Sequence, residues 1–175
     1  MGKSAVIYCS SLDHPDPLYD RVARDVVRML GEKGWSIVSG GSFRGNMGSV
    51  SSEALAAGVP HRGVIPRFMK QFVFGSLTET VFTDTMADRK EEMRRGTSAA
   101  IALPGGIGTL DELIETHVLA KLGQYPGKII ALNVDGFYEP LRALLGHYAA
   151  TGMTSAQDCA LVHFVSSVEE LGSLL

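Results

Sequence analysis

The sequence predicts an α/β fold in which a doubly wound, mostly parallel sheet carries helices on both faces. Three observations point there. Short β-rich apolar runs alternate with amphipathic segments along the chain, those runs lack the polar alternation of a half-exposed strand, and the two glycine-rich loops each follow a predicted strand. Right-handed crossovers between parallel strands cover both faces of such a sheet. The chain has 175 residues, of which 45% are apolar and 20% charged, and neither a linker nor a repeat interrupts it. Residues 1–175 therefore read as a single domain, long enough to bury about 70% of its unfolded surface.

Taken in order, residues 4–9 (Ser-Ala-Val-Ile-Tyr-Cys) form the first strand. Asp16 and Pro17 then offer an N-cap and a proline at the first helical position, and Leu18, Val22, Val26, Met29 and Leu30 recur at helical spacing until Gly34. Residues 35–39 read as a second strand, 40–48 as a loop, 49–57 as a helix and 62–65 as a third strand ending at Pro66. The aromatic and apolar residues of 68–76 suit a short helix and a packed loop equally. Beyond them the alternation resumes: strand 79–83, helix 87–95, strand 98–103, helix 109–122, strand 128–134, helix 138–150, strand 161–165 and a short C-terminal helix.

Composition excludes several functions. A net charge of −3 is too small and too mixed for a nucleic-acid groove or a polybasic membrane patch. No apolar run approaches the roughly 20 residues that span a bilayer, and the first residues lack a secretory leader pattern, so neither a membrane nor secretion is expected. Cys9 and Cys159 lie far apart and outside any CxxC pair, which fits a reducing cytoplasm. His14, His61, His117, His147 and His163 match no metal-binding spacing and are expected at the surface or in packing, so no metal is called for. No serine sits in a GxSxG elbow, and Cys9 reads as a buried thiol rather than a nucleophile.

Chemistry is concentrated in the glycine-rich loops. In Leu103-Pro-Gly-Gly-Ile-Gly-Thr-Leu-Asp-Glu112, the glycines Gly105, Gly106 and Gly108 allow close backbone approach, and Thr109 opens a helix whose first amides have no intrahelical acceptor. A phosphate would satisfy those donors. A ligand-free capping box, with Thr109 as N-cap and Glu112 three residues on, satisfies them as well. On that register Glu112 lies in the first turn, where the helix dipole favours its ionised form. Arg89 opens a helix whose N-terminus shares the same sheet edge, so it can reach the loop, although the mixed charges around it, including a Glu91–Arg95 pair, equally describe a solvated face. Gly40-Gly-Ser-Phe-Arg-Gly-Asn-Met-Gly48 is neither a GxGxxG fingerprint on the first strand nor a P-loop. It can still supply amides at a helix start, with Arg44 facing an anion or water.

Together, Met86-x-x-Arg89-Lys90 and Pro104-Gly-Gly-x-Gly-Thr-x-x-Glu112 resemble the paired signature of the LOG (Lonely guy) family of cytokinin riboside 5′-monophosphate phosphoribohydrolases, often labelled lysine decarboxylases. The resemblance runs over most of the chain and includes the Cys9-Ser-Ser turn, the 40–48 loop, Gly63-Val-Ile-Pro66, Leu122-Gly123 and Leu132-Asn-Val-Asp-Gly-Phe-Tyr138. It implies a Rossmann-like, cofactor-free, homodimeric hydrolase that splits a cytokinin riboside monophosphate or AMP into free base and ribose 5-phosphate. It further implies that Arg89 and Glu112 are the catalytic pair and that Gly105, Gly106, Gly108 and Thr109 hold the 5′-phosphate. Met86, Lys90, Gly41 and Arg44 join them as candidate substrate contacts. The chain departs from the family at Ser10, in the loop at Ser42, Phe43, Arg44 and Asn46, and at Ala87, Leu119 and Lys121. Those departures bear on base preference more than on reaction type. Three rivals stand beside this reading: a nucleotide-binding module with little turnover, a lysine decarboxylase, which needs a Schiff-base lysine, and an NAD-dependent oxidoreductase, against which stands the lack of a GxGxxG after the first strand.

Overall fold

A computed structural model describes residues 2–13 and 16–175. Seven strands form one sheet: β1 (Ser4–Tyr8), β2 (Ser36–Ser39), β3 (His61–Pro66), β4 (Glu79–Thr83), β5 (Ala99–Ala102), β6 (Lys128–Leu132) and β7 (Val162–Val165). Their order is β4-β3-β2-β1-β5-β6-β7 and every pairing is parallel, so the expected mostly parallel sheet is wholly so. Seven α-helices are described: α1 (Pro17–Glu32), α2 (Gly45–Ala57), α3 (Met86–Arg94), α4 (Ile107–Lys121), α5 (Glu139–Ala150), α6 (Ala156–Cys159) and α7 (Val168–Leu174). None of the described helices is long and apolar enough to cross a membrane.

Two apolar layers sandwich the sheet. On one face Ala5, Ile7 and Ile37 pack under Val26, Val27 and Leu30 of α1 and Val50 and Ala54 of α2. On the other, Val6, Tyr8 and Val38 meet Met93 of α3 and Leu113 of α4. Successive strand residues thus go to opposite layers and both are covered, which explains the unbroken apolar runs. Asp16 caps α1 as expected, accepting from the Leu18 amide at 2.7 Å. The ambiguous 68–76 stretch resolves into a 3₁₀ segment (Arg67–Phe72) followed by a loop that bridges back through Val73 to Ser42.

Several element limits shift by a residue or so from the sequence reading, two helix starts shift further, and one short helix is unexpected. Helix α2 begins at Gly45 rather than Ser49, because the Met47 amide docks on the Ser10 carbonyl at 3.2 Å and draws weak helix formers into the first turn. Helix α4 begins at Ile107, two residues before Thr109. The short α6, capped by Ser155, lies in a segment that carried no helical periodicity.

The order of strands places a switch between β1 and β5, where chain progression reverses and a crevice opens at the carboxyl ends. Gly41, just past β2, has φ +62°, and a Cβ there would lie 2.7 Å from the Gly63 Cα on β3. Replacing it adds strain and a backbone clash at once. Gly41→Ala is expected to lower stability by about 1–3 kcal/mol, read as a lower urea midpoint at unchanged slope; an unchanged midpoint would show that the loop relaxes freely.

Candidate active site

A cavity of about 820 Å³ occupies that crevice. Its walls are the turn after β1, the first turn of α1 at Asp16 and Tyr19, the start of α2, Ile65 and Pro66 at the end of β3, Met69 and Phe72 of the 3₁₀ segment, and the 104–109 loop, with Arg89 and Glu112 also lining it.

Arg89 arrives from α3, whose start is fixed by a reciprocal capping box: the Thr85 side chain accepts from the Asp88 amide at 3.1 Å, and Asp88 accepts from the Thr85 amide at 3.2 Å. The arginine is not on a solvated face. It is 7% exposed, donates from Nε to the Val64 carbonyl at 3.0 Å and from Nη1 to Glu112 Oε1 at 3.3 Å. Room for it comes from Gly40, where a Cβ would stand 2.2 Å from Arg89 Nη2. The Glu91–Arg95 pair does form, at 3.1 Å, on the exposed side of the same helix.

Glu112 lies in the second turn of α4, since the helix starts at Ile107, and it is 5% exposed. The expected first-turn stabilisation of its anion is therefore not what governs it. Burial pushes its carboxyl up to about 7, against the opposing pull of Arg89. The expected Thr109 capping box is absent too. Gly106 is the N-cap with no side-chain cap, and Thr109 turns back over Gly105, where a Cβ would meet its Oγ1 at 2.2 Å. A glycine at 105 lets the threonine tuck in, so the end of α4 faces the cavity without a side-chain oxygen over it. Beside this loop, the Tyr138 hydroxyl donates to the Leu103 carbonyl at 2.6 Å and pins the end of the strand.

The remaining candidates divide. Met86 and Arg44 line the cavity. Arg44 sits at the rim, paired with Asp13 at 2.6 Å and lying over the Phe72 ring at 5.2 Å. Lys90 is not among the lining residues, because Asp111 at 2.9 Å and Glu115 at 2.8 Å hold its ammonium between α3 and α4. Gly41 is not a lining residue either; its amide is taken by Ser39 Oγ at 3.0 Å and its role is backbone approach to β3. Sequence reasoning did not single out Tyr19, Asn46, Met47 or Phe137 as site residues. Tyr19 and Phe137, both lining the cavity, meet edge to face at 5.7 Å, a long-range pairing with no local signal. Of the histidines, His61 is buried against Ser39 Oγ at 2.7 Å and held down to about 4 by burial, His117 bonds the Asp158 carbonyl at 2.7 Å, and His147 and His163 are exposed. His14 falls outside the described residues. Cys9 is buried, and burial raises its thiol.

Residues 47–175 match the family model described as "Possible lysine decarboxylase". No lysine lines the cavity among the described residues, and Lys90 is tied up outside it, so the site does not fit a Schiff-base cofactor. Curated relatives carry a different name. A cytokinin riboside 5′-monophosphate phosphoribohydrolase of Mycobacterium marinum (strain ATCC BAA-535 / M) is 37% identical over 155 residues, covering 87% of this chain and 82% of that one. Another of the same name, from Mycobacterium tuberculosis (strain ATCC 25618 / H37Rv), is 33% identical and covers 95% of this chain and 90% of its own. Among solved structures, the molybdenum cofactor binding protein of Rippkaea orientalis superposes with a TM-score of 0.74 at 22% identity, covering 99% of this chain and 95% of that one, a likeness of fold alone. The family match spans residues 47–175, which include Arg89 and Glu112, the relatives cover most of the chain, and the chain belongs to the LOG family, in which the decarboxylase description and the phosphoribohydrolase name meet.

Proposed function

We propose that this chain is a phosphoribohydrolase that cleaves the N-glycosidic bond of a nucleoside 5′-monophosphate, either AMP or a cytokinin riboside monophosphate. The observation that carries the reading is the buried Arg89–Glu112 pair, set between an uncapped helix end and an apolar wall in one cavity. The amides around Gly106, Gly108 and Thr109 take the phosphate, where the dipole end of α4 favours an anion. Ile65, Met69, Phe72 and Met86 offer apolar surface for the base. The ribose then spans the pair.

Cleavage breaks the bond from C1′ to the base nitrogen, water adds its oxygen to C1′, and its proton balances the leaving base. The transition state carries positive charge on the sugar ring, and a carboxylate held nearby in a dry site stabilises it strongly. Glu112 supplies that charge, and Arg89 keeps the carboxyl oriented and partly ionised at neutral pH. No step requires a cofactor.

The enzyme acts as a homodimer in this reading. Ile107, Leu110, Ile114 and Val118 of α4 and Leu122 at its C-cap follow one another at three- and four-residue steps along one face, with Ile107 81% and Val118 48% exposed. A second copy covers such a stripe. Both cysteines are free, which suits a reducing compartment such as the cytoplasm.

Chromatography of the protein incubated with AMP or isopentenyladenosine 5′-monophosphate is expected to show free base, lost in Arg89→Ala and Glu112→Ala. Intact nucleotide at high enzyme concentration would leave a binding module. Ionisation of Glu112 is checked through stability. Its folded pKa of about 7 lies above the unfolded value of 4.5, so the contribution of Glu112 to stability is lost as pH rises between those values, against the opposite contribution of His61, which burial holds down to about 4. In urea titrations from pH 4 to 8 the parent is expected to lose stability relative to Glu112→Gln, a difference in which the contribution of His61 cancels, and kcat/KM of the parent to rise toward a plateau above about pH 7; a pH-independent difference between the two proteins would contradict the assignment. Val118→Asp is expected to convert a dimer to a monomer in sedimentation, and an unchanged mass would place the interface elsewhere.

A further inference from the structure

Among the described residues two buried side-chain polar atoms lack a hydrogen-bond partner, Asn46 Nδ2 and Ser51 Oγ. Asn46 lines the main cavity and is 2% exposed. A hydroxyl can rotate toward a partner, whereas a carboxamide nitrogen carries two hydrogens in a fixed plane and keeps its full desolvation cost until an acceptor arrives.

The place of Asn46 in the fold narrows the acceptor. Met47 donates its amide to the Ser10 carbonyl, and Ser49, one turn on from Asn46, donates its hydroxyl to Asp20. This end of α2 is therefore clamped against the turn after β1 and the first turn of α1. Those elements border the β1–β5 switch, whereas Ile65, Met69 and Phe72 form the apolar wall on the β3 side. Helix α2 has no side-chain cap at Arg44, and the positive end of its dipole favours an electronegative group beside Asn46.

We propose that Asn46 is a specificity-determining residue that donates its Nδ2 hydrogens to an oxygen of the phosphorylated ribose, opposite the 104–109 loop. The identity of this ligand rests on the phosphoribohydrolase reading; the presence of an oxygen acceptor does not. The contact fixes the sugar phosphate from a second helix end and leaves the base to the apolar wall.

The test is titration calorimetry of the parent, Asn46→Leu and Asn46→Ala with ribose 5-phosphate, inorganic phosphate and adenine, together with melting of the ligand-free proteins. Ribose 5-phosphate affinity is expected to fall about tenfold, the loss of one good hydrogen bond, with adenine unchanged. Ligand-free Asn46→Leu is expected to melt no lower than the parent, because it removes an unpaired buried amide. A parallel loss for inorganic phosphate assigns the contact to a phosphoryl oxygen, and a loss for ribose 5-phosphate alone assigns it to a sugar oxygen; both support the proposal. Undiminished ribose 5-phosphate binding, a loss confined to adenine, a parent that does not bind ribose 5-phosphate, or lowered melting in both variants with loss of all ligands would each overturn it. A parent that binds ribose 5-phosphate through Asn46 yet never releases base from AMP leaves the contact standing and refutes the hydrolase instead.

Discussion

The buried ion pair of Arg89 and Glu112 is the constraint around which the carboxyl edge of the sheet is built. Two charges withdrawn from water lose more hydration than their mutual attraction returns unless further partners complete them. The two residues meet this cost differently. Glu112 can take up a proton, and its carboxyl is pushed up to about 7. Arg89 has no such escape, since a guanidinium stays charged throughout the accessible range. The surroundings are arranged accordingly. Arg89 receives the Val64 carbonyl as a second acceptor, and Gly40 stands where any side chain would strike Nη2.

That arrangement links the two glycine-rich loops, which share no motif. The loop after β2 contributes absence of side chain: Gly40 for the guanidinium, Gly41 for the approach to Gly63. The loop after β5 contributes exposed amides, because Thr109 folds over Gly105 rather than capping the helix. In the proposed reading one loop makes room for the guanidinium that orients Glu112, and the other supplies amides for the phosphate. The distance between these seats is set by the sheet itself, through the pairing of β1 with β2 and β5 in fixed parallel register.

Much of this was legible in the sequence because it is local or periodic. Unbroken apolar runs marked both-sided strands, Asp16-Pro17 marked the start of α1, and β4 was placed at its observed limits. Arg89 and Glu112 emerged only through the paired signature, since a lone arginine among mixed charges reads as solvated. What escaped was tertiary. Thr109 and Glu112 have the spacing of a capping box, and only the close fit of Thr109 on Gly105 shows that the helix starts earlier. The docking of Met47 on Ser10 likewise recruits Gly45 and Asn46 into α2 against their propensity. Lys90 looked like a neighbour of the chemistry by sequence adjacency, but one step along a helix is a rotation of about 100°, enough to aim it at Asp111 and Glu115.

The fold by itself does not separate holding a phosphorylated ligand from breaking one. A molybdenum cofactor binding protein shares it at a TM-score of 0.74, and a helix end open to a crevice serves a carrier and an enzyme alike. What distinguishes a hydrolase is a charge whose interaction strengthens along the reaction. A carboxyl near pKa 7 beside a permanent cation has that property. In the proposed mechanism it is partly neutralised in the resting site, where its burial is costly, and is drawn fully to the anion as positive charge grows on the sugar. The buried Arg89–Glu112 pair is therefore the feature of this site that the hydrolase reading uses and a binding reading leaves idle.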